Sequence, residues 1–248
     1  MAEIGWRRAL RLGALALLGI LPGWAKRPLY RLLFGYRIHS GARIGLVILE
    51  AGEVDIEDGA RVGHLNLILG VGRLEVRRGG RIGSLNILRG GERISLGPFS
   101  TVMRLNVLNA IPDHDCTTQP VSVLDVGAGA VIVSGQRIDF TDRVTIGRNV
   151  VIGGRNSSLW THDRQETAPI VIGDFCYLGS EVRLAPGAQL ADECVLALGA
   201  VLTGPVNEPR SLVAGVPARV VRPLNERDLE RLHRKSRADI PDGLYDKP

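Results

Sequence analysis

The sequence predicts an all-β fold in which the chain winds into a stack of flat-sided turns. Three observations point there. Between residues 172 and 204 an aliphatic residue returns at every sixth position: Ile172, Leu178, Leu184, Leu190, Leu196 and Leu202. A helical face repeats at about 3.6 residues and a half-buried strand at about 2, so a period of six fits neither. It fits three short strands per turn, with one apolar side chain pointing inward from each flat face. The residues one and four places further on, among them Gly173, Gly179, Cys176 and Ala188, are small or compact. Finally, aromatics make up only 4% of the chain while glycines number 31, as expected of a narrow cross-section filled by aliphatics and cornered by glycine.

The elements follow in chain order. Residues 1–37 carry seven basic residues (Arg7, Arg8, Arg11, Lys26, Arg27, Arg31, Arg37) against one acid, Glu3. The apolar run "LGALALLGIL" stops at Pro22-Gly23, short of the roughly 20 residues that a bilayer span needs. Three readings of this segment stay open: a signal peptide, a helical cap on the first turn, and an interfacial membrane helix, of which the last two are compatible. Net charge is +5, but no basic helix with interleaved aromatics and no nucleic-acid motif is present, so a membrane surface or an anionic ligand is the better partner for the charge.

From residue 38 the rhythm runs through Ile38, Ile44, Ile56, Val62 and Ile68, with Glu50 as an exception. Two slips of two residues lead to Val76, Ile82, Leu88 and Ile94, then to Leu96, Val102 and Leu108, which implies 18-residue turns with two-residue corner insertions. Asn66, Asn86 and Asn106 recur at intervals of 20, and a stacked asparagine ladder is expected in preference to a sugar-binding column. After "NAIPDHDCTTQP" the rhythm restarts at Val126 and is broken again by "RNSSLWTHDRQETAP". Such a break is expected to bulge out as a loop, where functional groups are often placed on a rigid scaffold. A turn-rich exit follows Gly204, then a charged helical tail over about 225–237, expected to cover the last turn or a neighbouring subunit.

Three cysteines, an odd number, argue against a disulfide framework. Cys176 and Cys194 are 18 apart and would lie one above the other, as packed core thiols rather than a metal or redox pair. A reducing cytoplasm is the matching compartment.

At this point the chain resembles the hexapeptide-repeat acyltransferases, on the six hexads above, "THD" after a rhythm break, "APIVIGD" on re-entry and the exit "SLVAGVPARVVR". It is most similar to the exopolysaccharide and the maltose and galactoside O-acetyltransferases, over roughly residues 120 to 223; the earlier turns match in rhythm only. The resemblance implies a left-handed parallel β-helix, a handedness that periodicity alone does not carry. The expected organisation is an N-terminal helical segment (1–37), the β-helix (38–205), and an exit segment with a charged helical tail (206–248). The implied activity is transfer of an acetyl group from acetyl-CoA to a saccharide hydroxyl, in the cytoplasm and by a homotrimer. The rival is a non-catalytic scaffold that binds a membrane or partner through its basic N-terminus.

A thioester is already reactive, so the chemistry needs only a base to take the hydroxyl proton, a step typically worth about 10²–10⁴-fold. Of the five histidines (39, 64, 114, 162, 233), His162 lies in the loop where the family carries its catalytic histidine; His114 is the competitor, and His39 and His64 read as exposed turn positions. A catalytic imidazole needs an orienting acceptor, and Asp139 and Asp163 are both candidates. The chain departs from the sugar acetyltransferases in having "VSGQR" where they carry an asparagine. By resemblance, Ser180 and Leu198 contact the pantetheine arm of CoA, while Thr203, Arg219 and Arg222 lie near its nucleotide end, where guanidinium–phosphate bonds are the physical rationale. Tyr177 and Gly204 replace a usual tryptophan and a frequent basic residue. No metal is expected: the γ-class carbonic anhydrases share the fold but need three histidines, and only His162 is well placed.

Overall fold

The computed structural model describes residues 2–111 and 120–233. The chain forms a parallel β-solenoid of three faces. On the third face, two-residue strands such as 43–44, 61–62, 81–82 and 101–102 stack in parallel register up to 211–215, and an antiparallel strand, 218–223, closes this ten-stranded sheet. The strands 47–56 and 66–76 bend through a corner and tie the first face to the second. Beyond them the first face continues through 87–89, 107–109, 137–139, 158–159, 183–184 and 201–202, and the second through 93–96, 123–126, 144–146, 170–172, 189–190 and 205–206.

The rhythm and its slips are both visible in the register. Val62 pairs with Ile82 and Ile82 with Val102, a 20-residue turn, whereas Tyr177 pairs with Val195 in an 18-residue one. Thr101 pairs with Val131 and Val151 with Tyr177, so the two breaks in rhythm are insertions at corners that leave the ladders intact. Ile44, Val62, Ile82, Val102, Ile132, Ile152, Leu178 and Leu196 form one buried column. Cys176 and Cys194 lie buried as free thiols, and burial pushes Cys176 up to about 12, so neither is poised as a nucleophile.

Glu50 breaks the aliphatic rhythm for a reason outside the coil. Its carboxylate takes two bonds from Arg8 (3.1 and 3.0 Å) and one from the Gly70 N–H (3.0 Å), and the Arg8 bond holds it below the usual carboxylate range. Arg8 lies on helix α1 (Ala2–Ile20), which with α2 (Gly23–Phe34) caps the first turn. The cap satisfies the strand edge: Arg11 donates to the Ala51 carbonyl at 2.9 Å, and buried Lys26 donates to Gly19 and Gly45 carbonyls at 2.8 Å each. Gly19 is required there, since a β-carbon would sit 2.5 Å from the Val47 carbonyl oxygen. Leaving such edge groups unsatisfied costs about 1–3 kcal/mol each. No described helix is long and apolar enough to cross a membrane.

The asparagine ladder is present and longer than expected. Asn66 Oδ1 accepts from Asn86 N and Nδ2 (2.9 and 3.1 Å), and Asn86 Oδ1 from Asn106 N (2.9 Å). Asn106 Oδ1 accepts from Gln136 N (2.8 Å), and Gln136 Oε1 from Ser157 N (2.9 Å). At the other end, α3 (Glu226–Leu232) starts with a capping box between Asn225 and Asp228. His233 stacks on Phe175, ring centroids 4.6 Å apart, and bonds Glu193 at 2.6 Å, so the described part of the tail covers its own coil.

Candidate active site

The second insertion, 160–169, folds back on itself through an antiparallel bridge between His162 and Thr167 and an Ala168 N–H bond to the Thr161 carbonyl at 2.9 Å. Asp163 shapes the tip of this loop. Its Oδ1 accepts the N–H groups of Gln165 (2.7 Å) and Glu166 (2.9 Å), and the Gln165 bond, then the Glu166 bond, holds it below the usual carboxylate range. It makes no bond to the imidazole.

Asp139 does. Register brings the end of strand 137–139 beneath the loop, and His162 Nδ1 stands 3.0 Å from Asp139 Oδ1. The same oxygen accepts from Thr161 Oγ1 (2.7 Å) and Thr141 N (3.2 Å), and Oδ2 accepts from Thr141 Oγ1 (3.1 Å). Asp139 is 2% exposed and His162 side chain 18%, so the carboxylate is sealed in while the ring faces outward. With its Nδ1–H donated to the carboxylate, the imidazole carries its basic lone pair on Nε2. Thr141 and Thr161, which sequence reasoning passes over, are the supports of this pair. Their signal is the pair of corner threonines in "DFTDR" and "WTHD", which register brings together.

Gln136, in the "VSGQR" stretch, points into the coil wall as a ladder rung and donates to the Gly154 carbonyl at 3.0 Å. His39 and His64 are exposed, as expected. His114 lies outside the described residues. Among the described residues no three His, Cys, Asp or Glu groups cluster as metal ligands.

The residues matched to CoA do not all gather in one place. Ser180 and Leu198 stack at the corner between the third and first faces, joined by the Gly199 N–H to the Ser180 carbonyl at 2.9 Å, with Leu198 73% exposed. Thr203 and Arg219 line a cleft of about 630 Å³ at the C-terminal end of the coil. Arg222 is engaged elsewhere: its Nη1 bonds Asp228 at 2.8 Å and the Pro223 carbonyl at 2.9 Å. His162 occupies a different corner from Ser180 and Leu198, between the first and second faces.

No family model matches the chain. Over 100 residues it is 34% identical to the galactoside O-acetyltransferase of Escherichia coli (strain K12), a stretch covering 36% of this chain and 48% of that protein. The chain is built on six-residue repeats, one for each face of a turn. A Saccharomyces cerevisiae protein provisionally named an acetyltransferase is 29% identical over 102 residues, 40% of this chain and 52% of that one. The chain thus spans about half the length of the curated relatives it matches. Among solved structures, a hexapeptide transferase family protein from Anaplasma phagocytophilum covers 64% of this chain and 84% of its own at 21% identity, with a TM-score of 0.48. A hexapeptide-repeat acetyltransferase from Vibrio cholerae, complexed with acetyl-CoA, covers 91% of both chains at 20% identity, with a TM-score of 0.33.

Proposed function

We propose that this protein is a CoA-dependent O-acetyltransferase of the hexapeptide-repeat family, moving an acetyl group from acetyl-CoA to a hydroxyl of a saccharide or polysaccharide precursor. The observation that carries the reading is the His162–Asp139 pair, 3.0 Å apart, on a loop inserted into an otherwise regular coil. In this mechanism His162 Nε2 takes the proton of the acceptor hydroxyl as its oxygen attacks the thioester carbonyl carbon. The C–S bond then breaks, and the imidazolium returns the proton to the leaving thiolate. Asp139 fixes the tautomer and faces the transient imidazolium charge. The acyl donor is held by the Ser180–Leu198 corner, with Arg219 offered to its phosphates.

A homotrimer supports this chemistry. One chain holds its base and its proposed pantetheine contacts on different corners, so a neighbouring copy would supply the missing wall. The corner of Ser180 and Leu198 continues towards the N-terminus as a column of exposed leucines, Leu46, Leu65, Leu85 and Leu105. Three of them hold φ of 56°, 62° and 61° (Leu65, Leu85, Leu105), a left-handed conformation costing an L-residue about 1 kcal/mol. Strained, exposed leucines at successive turns suit a surface that packs against another copy.

The scaffold reading is favoured by one feature, an apolar face on the cap. Trp6, Leu10, Leu17 and Ile20 form an outward stripe on α1, and Trp24 and Leu32 extend it on α2, all more than half exposed. Peripheral contact with the inner membrane face through residues 1–37 is compatible with catalysis, and the free buried thiols suit the cytoplasm. The reading is tested by incubating the protein with acetyl-CoA and a panel of saccharides and detecting acetylated product by mass. Absence of product from every acceptor would leave the scaffold.

A further inference from the structure

The arginines of this coil fall into two groups. Many stacked arginines meet a carboxylate on their own or a nearby turn: Arg37 with Asp55 (3.1 Å), Arg73 with Glu75 (2.7 Å), Arg77 with Glu57 (2.8 Å), Arg93 and Arg143 with Asp125 (2.7 and 3.2 Å), and Arg148 with Asp174 (2.9 Å); Arg137 lies over Trp160 and Arg183 bonds backbone carbonyls instead. The third face near the N-terminus is different. There Arg43 pairs in register with Arg61, and Arg61 with Arg81, so that arginine stands over arginine about 4.8 Å apart. The column ends at Arg81, which pairs with Thr101, but Arg104 at the corner of that next turn adds a fourth guanidinium to the groove. Among the described residues, no carboxylate is within ion-pair distance of Arg43, Arg61 or Arg104. Like charges directly opposite one another on neighbouring strands destabilise a sheet, and where the arrangement recurs, Arg73 over Arg93 on the second face, each arginine has a carboxylate partner.

The column borders a groove of about 610 Å³, and among the described residues no acidic side chain lines it. Its floor is bare backbone at Gly45, Gly63 and Gly83, where an added β-carbon would meet the backbone of the next turn at 2.8, 2.5 and 2.2 Å. The opposite wall offers neutral donors. His64 Nδ1 accepts the Leu46 N–H at 3.2 Å, which leaves Nε2–H to donate, and Ser84 Oγ accepts the His64 N–H at 3.0 Å, which leaves its own hydrogen to donate. Among the described residues no aromatic side chain lines the groove, so they offer no platform on which bases would stack.

We propose that this groove binds a linear anionic saccharide chain, whose carboxylates follow one another along the arginine column. Regularly spaced guanidiniums suit repeated carboxylates, and the narrow, glycine-floored trough suits an extended chain. The choice of a saccharide over other polyanions rests on the acetyl-transfer reading; the anion site itself does not. The acceptor of the proposed reaction is then an acidic polysaccharide, gripped two to five turns from His162 while its hydroxyls are presented there.

The test is calorimetric titration of the full chain, without acetyl-CoA, with oligogalacturonate, neutral dextran, polyphosphate and a single-stranded oligonucleotide. Oligogalacturonate should bind, more weakly as salt rises, and dextran should not. Arg43→Gln with Arg61→Gln should lose about tenfold or more in affinity, as expected for removing charge-assisted contacts. The charge-matched Arg31→Gln with Arg89→Gln should change it little. Without any polyanion, the Arg43/Arg61 variant should melt at a higher temperature than the parent, because like-charge repulsion is gone; this also shows that it folds. Equal binding by the two variants, tighter binding of polyphosphate or oligonucleotide than of oligogalacturonate, or no binding by the parent overturns the proposal. Loss of acetyl transfer to a small neutral galactoside in the Arg43/Arg61 variant also overturns it, by making those arginines part of the reaction centre. If the parent acetylates nothing yet binds oligogalacturonate through these arginines, the groove stands and the enzymatic reading falls.

Discussion

Replacing Asp139 by asparagine separates charge from geometry at the proposed centre. Asp139 Oδ1 receives three donors: Thr161 Oγ1 at 2.7 Å, His162 Nδ1 at 3.0 Å and Thr141 N at 3.2 Å. An amide nitrogen at that point would face all three, so asparagine must place its carbonyl oxygen there. His162 then keeps its position and tautomer, and what disappears is the negative charge beside the imidazolium. Two unit charges about 4 Å apart interact by roughly 4 kcal/mol at an effective dielectric of 20, an upper bound here. A hydrogen bond to a charged group has a net value of about 1.5–3 kcal/mol, which corresponds to a rate loss of about 10- to 150-fold. The assay is CoA thiol release with a saccharide acceptor, measured over acetyl-CoA concentration. The fall should lie in kcat, with KM for acetyl-CoA within about twofold, because the interaction matters only once the proton has moved. Asp163→Asn, which touches only loop N–H groups, should leave kcat near the parent value. If Asp139→Asn matches the parent, or if all its loss lies in KM, the orienting role is wrong.

Other expectations follow from particular residues. Replacing Leu65, Leu85 and Leu105 together by asparagine, a residue that tolerates positive φ, should leave the coil folded by circular dichroism but convert the assembly to monomers by sedimentation; an unchanged sedimentation coefficient would remove that column from the interface. Leu10→Asp with Leu17→Asp should abolish co-sedimentation with anionic vesicles while the melting temperature holds, since both side chains face outward; persistent binding would take the membrane contact away from this stripe. Deleting residues 1–37 is the poorer test, because Leu15, Leu18 and Tyr30 are buried and Lys26 closes the strand edge. Glu50 gives a pH signature. Arg8 lowers its folded value below 4.5, so its stabilisation is fully present above about pH 4.5 and is lost as pH falls through the lower, folded value. The acid limb of a stability–pH curve should therefore flatten in Glu50→Gln; an unaltered limb would mean that the Arg8–Glu50 contact does not hold the cap.

Much of the coil is legible in the sequence because its core repeats one simple requirement, a single aliphatic side chain per face. Glu50 is unreadable on those terms, since its partner Arg8 comes from a helix 42 residues away. The ladder from Asn66 to Asn106 shows as a period of 20, but its continuation through Gln136 and Ser157 does not, because an insertion stretches the interval and the residue type changes while the bond to the next backbone N–H stays the same. At the candidate site, the neighbour in sequence and the neighbour in space differ. Asp163 adjoins His162 in the chain but turns back on the loop, whereas Asp139 arrives from 23 residues earlier through strand register. Likewise His162 and Ser180 are close in number yet sit on different corners, a separation that only the three-faced winding reveals. The exposed leucines with positive φ run against the local preference of leucine, so nothing in their sequence announces them.

The measurement that bears most directly on the central claim is turnover by His162→Ala on an acceptor that the parent acetylates, followed by mass, alongside acetyl-CoA affinity. His162 is outside the buried aliphatic columns, so the substitution leaves the coil in place. Loss of the general base should lower acetyl transfer by about 10²-fold or more, while acetyl-CoA affinity stays near the parent value. Near-parental turnover by His162→Ala would contradict the account.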